Sequence, residues 1–300
     1  MTSLRIGTRG SRLALWQANH VADRLRPLAA PRPVELVIIA TAGDQVRDVP
    51  LAQIGGEGVF TKEIQRALLD GSVDVAVHSL KDLPTIPVEG LVLAAVPERG
   101  PTGDVFVSEK HRRFDDLPRG AVLATSSLRR RAQALHRRPD LALVSVRGNV
   151  ETRLRKLDEQ GLDAIILAQA GLERLGLSAH VTEILDPSWM LPAVGQGALG
   201  IECRAEDADV RALLRALDDP ATHRAVRAER AALAELEGGC IIPMAAWARD
   251  VEGDESAGEG QPDGPAMAID AVVFDPDGLG RRAAQVLRER GAEPLLARAR

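Results

Sequence analysis

The chain has 300 residues, 45% hydrophobic and 27% charged, enough to bury the cores of two or three domains without disulfide staples. A net charge of -5 and an aromatic content of 2%, with no tyrosine, exclude a general polyanion binder and a base-stacking platform. The opening MTSLRIGTRG lacks a secretory pattern, no apolar run approaches the roughly 18 residues of a membrane span, and two distant cysteines make no disulfide framework.

A soluble, reduced, cytoplasmic protein is therefore expected, with no nucleic-acid or membrane partner. In chain order, LRIGT reads as a strand and SRLALWQANHVADRLR as a helix, because its apolar positions recur at helical spacing. VELVIIAT is a continuous β-branched run and reads as a buried parallel strand. TKEIQRALLDG is a helix closed by Gly71, and VDVAVHS is the next strand.

After PERGPTGD the alternation restarts. The strands AVLATSS, LALVSVRG and DAIILAQA precede the helices LRRRAQALHRR, NVETRLRKLDEQG and GLERLG. Strand–helix alternation predicts parallel sheets with helices on their faces. MLPAVGQGALGIECR carries the chain out of this second unit and back towards the first. From Asp218 the pattern becomes one long helix, ATHRAVRAERAALAELEGG, followed by strand-like pieces including AMAIDAVVF, with an acidic, Gly-rich loop between them. The expected organisation is a first α/β lobe over 1–99 and 194–217, a second over 100–193, and an α+β domain over 218–300.

Charge is unevenly placed. Between Thr125 and Lys156 nine basic residues face only Asp140 and Glu151, a local charge of +7. Arg129 and Arg130 open a helix after a strand, with Ser126 or Ser127 as its cap; Arg147 ends the next strand, and Arg153 lies on the first turns of the next helix. Open α/β sheets bind ligands beyond the carboxyl ends of their strands, where helix N-termini offer N–H groups to anions. The first lobe brings Arg9 and Ser11 after its first strand, and Lys81 and Asp82 after VAVHS. Arginine's planar fork suits a carboxylate or phosphate. Alone, these features describe a two-lobed binder of a multiply anionic small molecule, and a non-catalytic sensor would fit them equally.

Other motifs lack context. GQGALG, Gly195 to Gly200, satisfies a dinucleotide pattern, but no clear strand precedes it and no helix opens after it. The six histidines show no metal-ligand spacing, so no metal is expected. Cys203 reads as core packing. Cys240 follows Gly238 and Gly239 in LEGGCIIPM, a loop cysteine that a cationic crevice would activate. A cysteine-nucleophile hydrolase would need a histidine partner that the spacing does not offer.

Taken in order, RIGTRGSRLALWQ, GGEGVFTKE, VAVHSLKDLPT, ATSSLRRRAQ, VRGNVETRLRKLD, DAIILAQAGLERLG, PAVGQGALGIE and LEGGCIIPM resemble the porphobilinogen deaminase (hydroxymethylbilane synthase) family, over Arg5 to Met244. The resemblance implies two periplasmic-binding-protein-like α/β lobes plus a small α+β C-terminal domain. It also implies a monomeric transferase of tetrapyrrole (haem) biosynthesis, joining four porphobilinogen molecules head to tail with release of ammonia.

The resemblance further implies a dipyrromethane cofactor held by a thioether to Cys240, on which the polypyrrole chain grows. Asp82 resembles the carboxylate that faces pyrrole N–H groups and stabilises positive charge. Lys81, Ser127, Arg129 and Arg130 match cofactor contacts, while Arg9, Ser11, Gln17, Arg147, Arg153 and Gln196 match substrate or chain contacts. The chain departs from the family pattern in places: Glu57 stands where a lysine is common, and after Cys240 the common Gln-Val-Pro followed by Ile-Gly-Ala is replaced by Ile241, Ile242, Pro243, Met244 and Ala245, so that Ile241 removes a polar neighbour of the cysteine.

Overall fold

A computed structural model describes residues 2–41, 43, 58–235, 243–250 and 267–273. Among these residues three sheets form. The first contains β1 (Leu4–Thr8), β2 (Val34–Ile38), β3 (Val75–Ser79), β4 (Leu91–Ala95) and β10 (Leu199–Arg204), in the order β2-β1-β3-β10-β4. The second contains β5 (Asp104–Val107), β6 (Val122–Ala124), β7 (Ala142–Val144), β8 (Ala164–Ala168) and β9 (Glu183–Ile184), in the order β7-β6-β8-β5-β9. β11 (Met244–Asp250) and β12 (Met267–Val273) form an antiparallel pair.

The helices follow from their apolar spacing. In α1 (Arg12–Ala29), Ala18, Val21, Ala22 and Leu25 fall at i, i+3, i+4 and i+7 and pack on Leu4, Ile6, Val75 and Val77 of the first sheet. The second sheet divides its side chains by the strand period of two. Phe106, Leu123 and Ile166 enter one core with Phe114 and Ala134; Val105, Val107, Ile165 and Leu167 enter another with Leu157 and Leu172. The remaining helices are α2 (Lys62–Leu69), α3 (Leu128–Arg137), α4 (Val150–Glu159), α5 (Gln169–Arg174), α6 (Ala208–Arg215) and α7 (Pro220–Glu235).

Two expectations need correction. The sheets are mixed rather than parallel: β10 runs antiparallel to β3 and β4, and β5 antiparallel to β8 and β9. Both strands are entered from segments that pass between the sheets, so they run opposite to the helix-connected strands. The run VELVIIAT is not fully buried. β2 pairs only with β1, at the sheet edge, and Ile38 is 63% exposed. Apolarity and β-branching favour a strand but do not assign its place in the sheet.

The two crossing segments touch. Gly100 N–H donates to the Gly197 carbonyl at 3.2 Å, and Gly197 has φ +85°. A Cβ there would stand 2.5 Å from the Gly100 carbonyl oxygen and 2.7 Å from that of Pro101. Glycine is required by both conformation and close approach. The GQGALG motif is thus a turn leading into β10, not a strand-to-helix phosphate loop. Among the described residues, no helix is long and apolar enough to cross a membrane, and no cluster of three or more acidic, histidine or cysteine side chains could hold a metal ion.

Candidate active site

The mixed topology gathers chain segments of both directions at one end of each sheet. The parallel strands β1, β3, β6 and β7 deliver the residues that follow their carboxyl ends. The antiparallel strands deliver the residues at their beginnings, since Leu199 of β10 pairs with Ser79 of β3 and Asp104 of β5 pairs with Ala168 of β8.

Lys81 and Asp82 lie in a 3-10 turn, Leu80–Asp82, immediately after β3. Leu80 anchors this turn in the core, and its N–H donates to the Ala198 carbonyl, at 3.0 Å. Arg129 and Arg130 occupy the first turn of α3, which Ser127 caps by accepting from the Arg130 N–H at 3.4 Å. Ser126 instead donates its hydroxyl to the Val146 carbonyl at 2.7 Å, so the cap is Ser127. Arg147 follows β7, and Lys156 donates to its carbonyl at 3.2 Å. Arg153 lies on α4, and its Nε donates to the carbonyl of Gly148 at 2.8 Å.

Asp104, which the sequence did not single out, is central to the cluster. It is 0% exposed. Its Oδ1 accepts from Arg130 Nη2 at 2.7 Å and Nε at 3.1 Å, and from Gln196 Nε2 at 2.9 Å. Its Oδ2 pairs with Arg129 Nη1 at 2.7 Å. Arg129 also donates to the Leu191 carbonyl at 2.5 Å, and Arg130 to that of Ile166 at 3.0 Å. Gln196, 1% exposed, additionally donates to the Thr102 carbonyl at 2.7 Å.

Burial acts on the Lys81, Arg153 and Asp104 charges. It lowers the Lys81 ammonium to about 8, against the opposing pull of Asp82, with Arg130 and Arg129 lowering it further and Asp104 raising it. It lowers Arg153 to about 10, helped by Arg130 and Arg147 and resisted by Asp82. Burial alone would raise Asp104, but Arg129 and Arg130 outweigh it and hold that carboxyl well below the usual range. These mutual influences put Lys81 and Asp82 of the first sheet and Arg129, Arg130, Arg147 and Arg153 of the second in one electrostatic neighbourhood. Five cations face two carboxylates there.

Arg9, Ser11 and Gln17 stand on the first sheet's side. The Arg9 guanidinium lies over the Phe60 ring at 4.2 Å, Ser11 caps α1 by accepting from Ala14 N–H at 3.3 Å, and buried Gln17 donates to Ser79 Oγ at 2.8 Å. Cys240, Ile241 and Glu57 lie outside the described residues. Cys203 is fully buried in the first core, and burial pushes its thiol up to about 11, the opposite of an activated cysteine.

The donor set suits a bound group bearing several carboxylates. The positive excess is partly desolvated, which strengthens each charge-assisted bond to an anion. Arg129 Nε is buried and has no hydrogen-bond acceptor, so this guanidinium is not saturated by the protein. Dipyrromethane, with acetate and propionate arms, is a group of that kind.

A family model described as porphobilinogen deaminase, dipyromethane cofactor binding domain, matches residues 4–212, and one described as porphobilinogen deaminase, C-terminal domain, matches 223–295. Porphobilinogen deaminase of Syntrophotalea carbinolica is 49% identical over 301 residues, covering 99% of this chain and 96% of that protein. That of Pelobacter propionicus is 50% identical, covering 98% and 96%. The solved methionine-binding protein MetQ aligns more distantly, with TM-score 0.46 and 14% identity over 76% of this chain and 94% of that one. Two domain models that together span nearly all of the sequence, and relatives at about half identity along its whole length, establish that the chain belongs to the porphobilinogen deaminase family.

Proposed function

We propose that this chain is a hydroxymethylbilane synthase, a transferase that condenses four porphobilinogen molecules head to tail and releases one ammonia per condensation. The observation that carries this reading is the cationic cluster drawn from both sheets around the Lys81–Asp82 turn. Porphobilinogen bears two carboxylates per molecule, and a growing chain multiplies them, so an excess of partly buried arginines matches the substrate's chemistry.

The dipyrromethane, when bound through Cys240, supplies a free pyrrole α-carbon as the nucleophile. Lys81, Ser127, Arg129 and Arg130 hold its carboxylates, and Arg9, Ser11, Gln17, Arg147, Arg153 and Gln196 serve the substrate and the lengthening chain. Clamping carboxylates at several points fixes the reacting carbons relative to one another, which removes much of the entropic cost of the encounter. Asp82 is the one carboxylate of the cluster not committed to Arg129 and Arg130. As ammonia leaves the substrate, positive charge develops on the pyrrole and its methylene. A fixed carboxylate lowers the energy of that charge without reorganising at the moment of reaction. Asp82 accepts hydrogen bonds from pyrrole N–H groups in this role.

The proposed domain division follows the sheets, with residues 1–99 and 194–217 as one lobe, 100–193 as the second, and 218–300 carrying Cys240. A cytoplasmic monomer fits the reading. The test is the intact mass of the denatured chain made in porphobilinogen-producing cells. The expected mass exceeds that of the bare chain by a two-pyrrole adduct, and Cys240→Ser removes the increment. A bare-chain mass for the unaltered protein would overturn the proposal.

A further inference from the structure

Asp104 shares one carboxylate between two consecutive guanidinium groups and a side-chain amide from the segment that crosses between the sheets. It stands at the first position of β5, directly after the other crossing segment. Arg129 and Arg130 are adjacent like charges on the first turn of a helix, where the dipole already disfavours cations. Without a counter-ion both would turn towards water and away from each other. A single carboxylate that pairs with both fixes them side by side, with the Leu191 and Ile166 carbonyls limiting rotation.

The arrangement leaves donors to spare. A guanidinium has five N–H donors, and Arg129 Nε has no acceptor while its Nη1 faces Asp104 and Leu191. The pair is oriented but not saturated. We infer that Asp104 is a positioning residue, which aims Arg129 and Arg130 at the carboxylates of the bound pyrrole group and, through Gln196, ties their orientation to the crossing segments. This rests on the function proposed above. Asp104 touches neither substrate nor cofactor in this role and acts through the two arginines.

The test compares Asp104→Asn and Asp104→Glu with the unaltered chain, made in porphobilinogen-producing cells. Asn keeps shape and an acceptor for Gln196 but removes the charge, whereas Glu keeps the charge and displaces it. Three quantities are read: the fraction of chains carrying the two-pyrrole mass increment, KM and kcat for porphobilinogen, and the hydrogen-exchange protection of the Arg130 Nε–H group, which donates to Asp104, by nitrogen NMR. In Asp104→Asn, with the far-UV spectrum retained, the loaded fraction is expected to fall about tenfold and KM to rise about tenfold, with kcat changed less. The Nε–H protection is lost, and Glu restores part of each.

An Asn variant of lower thermal stability but unaltered loading, KM and protection would reduce Asp104 to a structural residue and overturn the inference. Should the Asn variant not fold, the Glu variant decides, because normal KM and protection with a displaced carboxylate are equally contrary. If the unaltered chain itself carries no adduct, the proposed function fails separately, while the Nε–H comparison still judges Asp104.

Discussion

Lys81 carries the most pH-sensitive charge of the cluster. Burial lowers its ammonium from 10.5 to about 8, so between these values the unfolded chain binds a proton that the folded chain has released. The resulting destabilisation is full below about pH 8 and fades as pH rises towards 10.5. In apo-protein from cells that make no porphobilinogen, Lys81→Met should therefore raise the thermal midpoint at pH 7, and the gain should shrink steadily by pH 10. A gain independent of pH would show that Lys81 is not desolvated. Bound carboxylates stabilise the charged form, so loaded protein should show a smaller gain. At this scale the sequence was informative where a residue follows a parallel strand, as for Lys81, Asp82 and Arg147. It was silent on Asp104, which begins a strand whose direction local sequence does not reveal.

The elements show which local signals were sufficient. The cap before Arg129 was legible only as Ser126 or Ser127, and Ser127 accepts from the N–H three residues on; Ser11 does the same for α1, which the sequence reading did not anticipate. Gly197 was seen only as part of a glycine-rich motif. Its place in the turn before β10 gives it φ +85° and brings it against the Gly100 and Pro101 carbonyls. Gly197→Ala should cost about 1–3 kcal/mol from backbone conformation, with further loss from the contact, measured by urea unfolding of purified protein. An alanine variant as stable as the parent would mean that the crossing segments separate freely. Edge or centre was not legible for β2, because strand pairing is settled by the other strands available, not by the run's own hydrophobicity.

Across the molecule, Glu229 of α7 joins the C-terminal part to the crossing segments. It is 0% exposed and receives Arg99 Nη1 at 2.7 Å and Nη2 at 3.0 Å, Gly195 N–H at 2.7 Å and Ala248 N–H at 3.0 Å. Arg99 Nε in turn donates to the Gln196 carbonyl at 2.8 Å. Removing this carboxylate leaves the half-buried Arg99 guanidinium with only the Gln196 carbonyl and deprives two backbone N–H groups of their acceptor. Glu229→Ala should cost about 3–5 kcal/mol and resolve thermal unfolding by calorimetry into separate transitions. A small loss with one cooperative transition would show that the parts are held together elsewhere. The same contacts couple the helix leading towards Cys240 to the segment that carries Gln196 and, through Gln196, to Asp104.

By itself the sequence determined the α/β class, the segments that become strands and helices, and the ordered set of motifs that identifies the family. Those properties depend on local periodicity, capping and residue order, which a single chain displays directly. Only the tertiary structure decided that the sheets are mixed, that β2 is an edge, and that Arg129 and Arg130 meet on one buried carboxylate. Strand direction and neighbourhood arise from long-range pairing, and Asp104 lies 25 residues from Arg129 along the chain, joined to it only after the second sheet closes.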